Sequence, residues 1–223
     1  MYYQFDATND YFKSDNRVDI LIKFAKQEGV WGHDENRNLF LKLGVVLIVT
    51  HFQVYVEKVL DEYHYQLKQS NKLNRQIPLY LRLQSLKLHI EQIKINSALE
   101  NPKTYNQDKL NDIKTLINGL NGFCDDDGIV PANMEIIKKY PLGKQGLNEL
   151  KLLFKQIEGK DIFENVKFDI LKLNEILSRR HNIIHEDSND QLTEVTVMNY
   201  KDFIAKVVKH INRYLDSNLK RVN

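Results

Sequence analysis

Apolar residues recur at helical spacing along most of this chain. Over residues 36–71 the pattern predicts one long helix, and its first half, 39–49, is apolar on nearly all sides, as expected of a helix packed at the centre of a bundle. Residues 194–197 are the nearest to a strand pattern, and we expect them to lead into the last helix. The predicted fold class is therefore all-α. Capping, proline and glycine positions bound the remaining predicted helices, at 18–29, 78–93, 107–120, 147–157, 166–186 and 198–219.

Turn and break residues set apart a middle segment, residues 72–143, that closes with the break from Pro141 to Gly146. We expect a single domain over 1–223, with 72–143 as a helical insertion. Residues 1–15 are polar and aromatic without a helical period, so they are expected to form a loosely ordered arm. In the insertion, Asp125-Asp126-Asp127-Gly128 predicts a turn. It lacks the alternating ligands and final glutamate of a calcium loop, so no metal is expected there.

Composition places the chain among ordinary globular proteins. Hydrophobic residues make up 42% and charged residues 28%, and the formal net charge is +2, so any nucleic-acid-binding surface must be local. The single cysteine, Cys124, excludes an intrachain disulfide and fits a reducing compartment. No secretory signal is visible at the N-terminus, and the apolar run Leu43 to Thr50 is too short to span a bilayer. A cytoplasmic protein without a membrane partner is expected.

The helix predicted at 166–186 carries three cation-capable side chains on or beside the face that it should bury. At about 100° per residue, His181 falls within the apolar stripe, while Arg180 and His185 fall on its two shoulders. Arg179 is expected to point towards solvent. Polar groups placed on a buried face are costly unless they are paired or face a shared cleft, so this cluster is a candidate functional site. The stripe itself consists of Ile170, Leu173, Leu177 and Ile184.

Simpler readings of these residues remain open. His181 alone could be a core histidine satisfied by a backbone carbonyl, and Arg180 alone a cation that favours the C-terminal end of a helix. The spacing of His181 and His185 also suits zinc. However, Asn182 follows His181 where zinc proteases have glutamate, and no third ligand is evident. A purely structural helical adaptor is a further alternative, disfavoured by the position of these residues on the helix.

The segment Arg180-His181-Asn182-Ile183-Ile184-His185 resembles the Arg-polar-x-x-x-His signature of the HEPN superfamily (higher eukaryotes and prokaryotes nucleotide-binding domains), in particular its RiboL-PSP-like branch. The stretches 52–60 and 192–197 are similar to the same branch, and the resemblance covers 39–70 and 144–219. It implies an up-and-down helical bundle that works as a homodimer with a composite cleft. It also implies metal-independent cleavage of RNA to 2′,3′-cyclic phosphate ends, without cofactors, in toxin–antitoxin or antiviral defence.

Residue chemistry fits that activity. Cleavage of RNA without metal needs a base for the 2′-hydroxyl, an acid for the leaving oxygen and a cation for the phosphorane. His185 is the candidate acid or base, Arg180 the clamp on the scissile phosphate, and His181 would orient the phosphate or share proton transfer. Asn182 and Asp187 are candidate supporting partners. The resemblance further permits Glu57, otherwise a surface carboxylate, to orient Arg180.

Arg180 and His185 lie about 140° apart on a regular helix, so they do not easily converge on one phosphate from a single chain. Two copies facing each other across a two-fold axis would solve this, and a homodimer is expected. A non-catalytic HEPN module that binds nucleotide or RNA is the alternative function. A cognate antitoxin or a nucleotidyltransferase is a candidate partner in either case.

The last predicted helix carries a basic stripe opposite its apolar face. Lys206, Lys209, His210 and Arg213 recur at i, i+3, i+4 and i+7. A solvated helix face is one interpretation of this pattern. A track for an RNA backbone, made by Lys206, Lys209 and Arg213, is the other.

Overall fold

The structure is a computed structural model that describes residues 5–14, 16–70, 72–96, 111, 114, 117–118, 122–130, 134–141, 146–185 and 192–221. No strand forms within these ranges, and the predicted all-α class is confirmed. Most of the helix predicted at 107–120 lies outside the described residues. The named α-helices are α1 (Asp6–Ser14), α2 (Asn16–Val30), α3 (Asp34–Gln69), α4 (Leu79–Asn96), α5 (Gly146–Glu158), α6 (Ile170–His185) and α7 (Glu194–Arg221), with a 3₁₀ turn at Asn74–Gln76.

The chain divides into two compact units. The first unit comprises Met1–Glu62, Lys138–Leu153 and Asp161–Asn218, and the second comprises Tyr63–Ile137, Phe154–Lys160 and Leu219–Asn223. Much of the segment that the sequence sets apart as an insertion, 72–143, falls in the second unit.

The core of the first unit forms around α3 and α7. Val45, Val49 and Phe52 of α3 are completely buried, but Leu39 and Leu43 are 54% and 44% exposed, so the packing on all sides expected of 39–49 is only partly present. At Gly44 an added Cβ would lie 3.1 Å from Val197 Cγ1, so the glycine permits a close approach of the two helices. The apolar face predicted for the last helix is buried throughout: Tyr200, Ile204, Val207, Val208, Ile211 and Leu215.

An ion pair ties the N-terminal turns of α3 and α7 together. The guanidinium of Arg37 donates from Nε and Nη2 to the two carboxylate oxygens of Glu194, at 2.8 and 2.7 Å. The hydrogen bond from Arg37 lowers the pKa of Glu194 to about 2. Because Glu194 lies in the first turn of α7, its charge is also favourable at the positive end of the helix dipole.

The N-terminal segment differs from the expected loose arm. Residues 6–14 form α1, and Phe5, Ala7 and Tyr11 are buried. Side chains distant in sequence hold its first turn: Glu62 Oε1 accepts a hydrogen bond from the Ala7 backbone N–H at 2.9 Å, and Asn212 Oδ1 accepts one from the Thr8 hydroxyl at 2.7 Å. The contact with Glu62 satisfies a backbone donor in the first turn of α1, and the contact with Asn212 holds the same turn through a side chain.

α3 is long and apolar enough, by length and composition, to cross a membrane, and it is the one such helix in the part of the chain that the structure describes. The apolar run in the sequence is much shorter than the complete helix of 36 residues. The most apolar stretch of 18 residues within α3 is 44% buried inside the protein. A central helix of a bundle has the same composition, and the burial of Val45, Ile48 and Phe52 agrees with that role.

In the second unit, buried polar side chains hold the turn at 125–128. Leu73 and Ile129 form an isolated antiparallel bridge, and Asn74 Nδ2 donates to the Asp125 carbonyl at 2.7 Å. Arg82 pairs with Asp126 at 2.7 Å. The predicted turn is therefore present, and cationic side chains accompany its carboxylates.

Candidate functional site

The helix that carries the site, α6, begins at Ile170 because Asp169 caps it. Asp169 Oδ1 accepts a hydrogen bond from the Leu171 backbone N–H at 2.9 Å, as an N-cap residue does. The sequence pattern predicted a start a few residues earlier. Leu173, Ile176 and Leu177 form the buried face of α6, and of these Ile176 is not part of the predicted stripe.

Tyr200 fixes α6 against α7. Its hydroxyl donates to the Glu175 carboxylate, and Arg179 also hydrogen-bonds to Tyr200. Burial and the contact with Glu175 raise the pKa of Tyr200 to about 12, and Arg179 partly offsets this rise. Sequence reasoning missed this cluster, although a tyrosine in a buried stripe signals that its hydroxyl needs a partner. It also placed Arg179 in solvent, whereas the side chain is half-buried and reaches back to Tyr200.

Arg180, His181 and His185 lie in the last two turns of α6. Arg180 and His181 are half-buried, and His185 is exposed. Arg180 Nε and His181 Nδ1 are buried atoms that have no hydrogen-bond partner among the described residues. The rings of His181 and His185 have centroids only 4.6 Å apart. The structure therefore brings the two imidazoles together and leaves one buried nitrogen each on Arg180 and His181 without a hydrogen-bond partner among the described residues.

The apolar stripe of α6 becomes exposed to solvent towards the C-terminus of the helix. Leu173 and Leu177 are buried as predicted, but Ile184 is 44% exposed. Ile184 lies one turn beyond Arg180 on the same side of the helix. The predicted burial is therefore wrong for Ile184 in the single chain, and an apolar side chain adjoins the candidate site at the surface.

Glu57 has a different partner from the one that the resemblance permits. Its Oε1 accepts a hydrogen bond from the Tyr140 backbone N–H at 3.0 Å, while Gln53 Nε2 donates to the Tyr140 carbonyl at 2.9 Å. No hydrogen bond or ion pair joins Glu57 to Arg180 in the ranges that the structure describes. Glu57 thus anchors the extended segment that precedes α5. Asn182 is half-buried on α6, and Asp187 lies outside the described residues.

Of the predicted basic stripe on α7, three cations are exposed: Lys206, Lys209 and Arg213. His210 is a structural residue instead. Its Nε2 lies 2.8 Å from the Ile162 carbonyl and its ring stacks on Phe163, with burial lowering its pKa. The helical period alone could not reveal this packing, because the partners come from the loop before α6.

No group of three or more His, Cys, Asp or Glu side chains with a metal-binding arrangement occurs among the described residues. For His181 and His185 this means that no third ligand for zinc lies beside them within those residues. The chemistry that the arrangement supports is that of two imidazoles and a guanidinium: proton transfer and the binding of an anion.

An all-α fold in which a helix with one buried face ends in an arginine and two histidines agrees with the HEPN resemblance. The RiboL-PSP-HEPN family model matches residues 9–217, and the chain belongs to this family. The predicted resemblance is therefore confirmed, and the match extends well beyond the stretches that suggested it. Comparisons with curated proteins and with solved structures give no significant match.

Proposed function

We propose that this protein is a metal-independent endoribonuclease whose site consists of Arg180, His185 and His181. The observation that carries the proposal is the pair of buried nitrogens on Arg180 and His181, which have no partner among the described residues and lie beside the exposed ring of His185. Each buried polar group without a partner costs about 1–3 kcal/mol. Such a cost is expected where the partner is a substrate, here a phosphate that accepts hydrogen bonds from both side chains.

The proposed reaction is transfer of the phosphoryl group to the neighbouring ribose hydroxyl. One imidazole takes the proton of the 2′-hydroxyl, and the 2′-oxygen attacks phosphorus. The bond from phosphorus to the 5′-oxygen breaks, and an imidazolium protonates that oxygen. The products carry a 2′,3′-cyclic phosphate and a 5′-hydroxyl. Arg180 neutralises the charge that develops on the non-bridging oxygens, with donors that suit a phosphate bidentately.

The two histidines are close enough to act on one phosphate. With ring centroids 4.6 Å apart, His181 and His185 share a single patch of surface. We assign one proton-transfer role to His185, which is the more exposed ring, and phosphate orientation or the second proton transfer to His181. No metal or cofactor enters this scheme, since the imidazoles carry the protons and the guanidinium carries the charge.

We further propose that two copies of the chain form the working cleft. Arg180 and His185 project about 140° apart from α6, so a second copy placed opposite would complete the surroundings of the phosphate. The exposed Ile184 supplies an apolar contact for such an interface. A toxin–antitoxin or antiviral setting, with a cognate antitoxin or nucleotidyltransferase as partner, follows from the resemblance and belongs to the same proposal.

Incubation of the purified protein with total RNA, with and without EDTA, tests the activity. Wild type is expected to cut RNA in both conditions. Arg180→Ala and His185→Ala are expected to lose about 10²-fold or more of the rate, as when a transition-state donor or a general acid–base group is removed. Arg17→Ala and His33→Ala serve as matched controls, since both residues are exposed and lie on or next to other helices.

The same experiment separates the second candidate function. A wild type that binds RNA without cutting it would identify a non-catalytic binding module and contradict the nuclease. Cleavage abolished by EDTA would contradict the metal-independent mechanism. Cleavage that is retained by both site variants would place the activity elsewhere.

A further inference from the structure

We propose that the exposed face of α7 formed by Lys206, Lys209 and Arg213 binds the backbone of a single-stranded RNA substrate. The inference deepens the proposed function and rests on it. It concerns how a long RNA is held along the protein, in addition to the contacts at the scissile phosphate. We call these three residues the α7 cation track.

The three cations share one face of a regular helix. They are spaced by three and four residues, so they follow one another along the helix over about 10 Å. All three are exposed, and none forms an ion pair with a carboxylate in the described part of the chain. Lys201, on the same helix, provides the contrast, because its Nζ is paired with Asp19 at 2.7 Å. Cations in the track are therefore available to an external polyanion.

An aromatic ring adjoins the track. The Lys209 Nζ lies 5.5 Å from the centroid of the Phe12 ring, and Phe12 is only half-buried. Grooves that bind single-stranded nucleic acid combine cations for phosphates with aromatic rings on which bases stack. Phe12 gives the track such a ring. A helix face that contacts only water has no need of an aromatic ring beside its cations.

Carboxylates lie near Lys206 and near Phe12. Asp202 is exposed one turn before Lys206, and Asp6 and Asp10 line an open cavity on α1 that Phe12 also lines. These carboxylates disfavour phosphates just before Lys206 and in the cavity beside Phe12. The RNA is therefore expected to follow α7 from Lys206 to Arg213 and to meet α1 only at Phe12.

The observations favour RNA over an acidic protein as the occupant. The formal net charge is only +2, so a linear series of cations without an ion pair in the described part of the chain is a local feature and not the consequence of a generally basic surface. Its spacing follows one line, as a phosphate backbone does, and an aromatic ring sits at its edge. An acidic protein surface is the alternative that the experiment must distinguish.

The test is binding of a fluorescein-labelled 20-nucleotide single-stranded RNA, followed by anisotropy over a range of salt concentrations. All proteins carry His185→Ala so that the RNA stays intact. In this background the variant Lys206→Gln/Lys209→Gln/Arg213→Gln is expected to raise Kd tenfold or more. The slope of log affinity against log salt is expected to become shallower by about 2, from three phosphate contacts at roughly 0.7 each.

A matched control removes three exposed cations from α2, as Arg17→Gln/Lys23→Gln/Lys26→Gln. Its Kd is expected to stay within twofold of the parent's, and its salt slope is expected to stay that of the parent. Phe12→Leu is expected to weaken binding without changing the salt slope, because stacking involves no counterion release. Thermal unfolding checks that each variant is folded.

The outcomes separate the track from the proposed function. Equal losses of RNA affinity in the track and control variants would overturn the proposal for the track. Cleavage of RNA by wild type would still support the nuclease in that case. An unchanged Kd and an unchanged salt slope in the track variant would also overturn the proposal for the track and would leave an acidic protein surface as the alternative occupant. Wild type that neither binds nor cuts RNA would overturn both.

Discussion

At the scale of single residues, Arg180 and His181 occupy positions that do not favour folding. Each places a polar nitrogen in a buried position without a partner among the described residues. Residues selected for stability alone would be apolar there, as Leu177 is one turn earlier and Leu173 two turns earlier. Function at the expense of stability is a common property of active sites.

This trade-off gives a first prediction. Arg180→Leu keeps an aliphatic side chain and removes the unpartnered nitrogen, so the free energy of unfolding should stay unchanged or rise by up to about 1 kcal/mol. Cleavage of RNA should be lost in the same variant. Urea unfolding and an RNA cleavage assay measure the two effects. A decrease in stability of about 2 kcal/mol or more would show that the guanidinium is a structural group.

The sequence was informative about which residues cluster and uninformative about their partners. Helical spacing correctly placed His181 beside His185 on one part of α6. It misplaced Arg179 and His210, because the groups that hold them, Tyr200 and the Ile162 carbonyl, are distant in sequence. The period of a helix fixes the direction of a side chain but not what another element brings to it.

At the scale of elements, the start of α6 depends on a single cap. Asp169→Ala should lower the free energy of unfolding by about 1 kcal/mol, whereas Asp169→Asn should be nearly neutral, since asparagine is an equally good N-cap. Chemical denaturation of both variants tests this. Hydrogen exchange should show faster exchange in the first turn of α6 for the alanine variant only. Equal stability of the two variants would contradict the role of the cap.

The ion pair between α3 and α7 makes stability depend on pH. The pKa of Glu194 is lowered from 4.5 to about 2 in the folded protein, so its contribution is fully present above pH 4.5 and is lost as pH falls from there towards 2. Glu194→Gln should lose about 1 kcal/mol at pH 7. It should also show a weaker decline in stability over that acidic range. Glu35→Gln, an exposed carboxylate in the first turn of α3, is the control.

Most helices were predictable because amphipathic periods are local. α1 is the exception: its helix is secured by Glu62 and Asn212, and the segment has no apolar period that stands out on its own. α7 also begins earlier than predicted, at Glu194, because the Thr193 hydroxyl accepts a hydrogen bond from the Thr196 backbone N–H at 3.1 Å. Ends of helices depend on such caps more than on the apolar pattern.

At the scale of the whole molecule, the proposal requires two chains at one cleft. Arg180→Ala and His185→Ala proteins, each inactive alone, should regain part of the wild-type rate when they are mixed and allowed to exchange subunits. A mixed dimer retains one intact arginine and one intact histidine, from different copies. A site contained within one chain would give no recovery, because neither copy is complete. Sedimentation equilibrium should show a dimer at micromolar concentration.

The claim on which the account depends is that a 2′-hydroxyl attacks its neighbouring phosphate at the end of α6. The most direct measurement uses a short RNA that wild type cuts at one bond, and the same RNA with a single 2′-deoxyribose before that bond. We predict that mass spectrometry will find a 2′,3′-cyclic phosphate on the first RNA and an intact second RNA. Cleavage of the deoxy-substituted bond at an undiminished rate would contradict the mechanism.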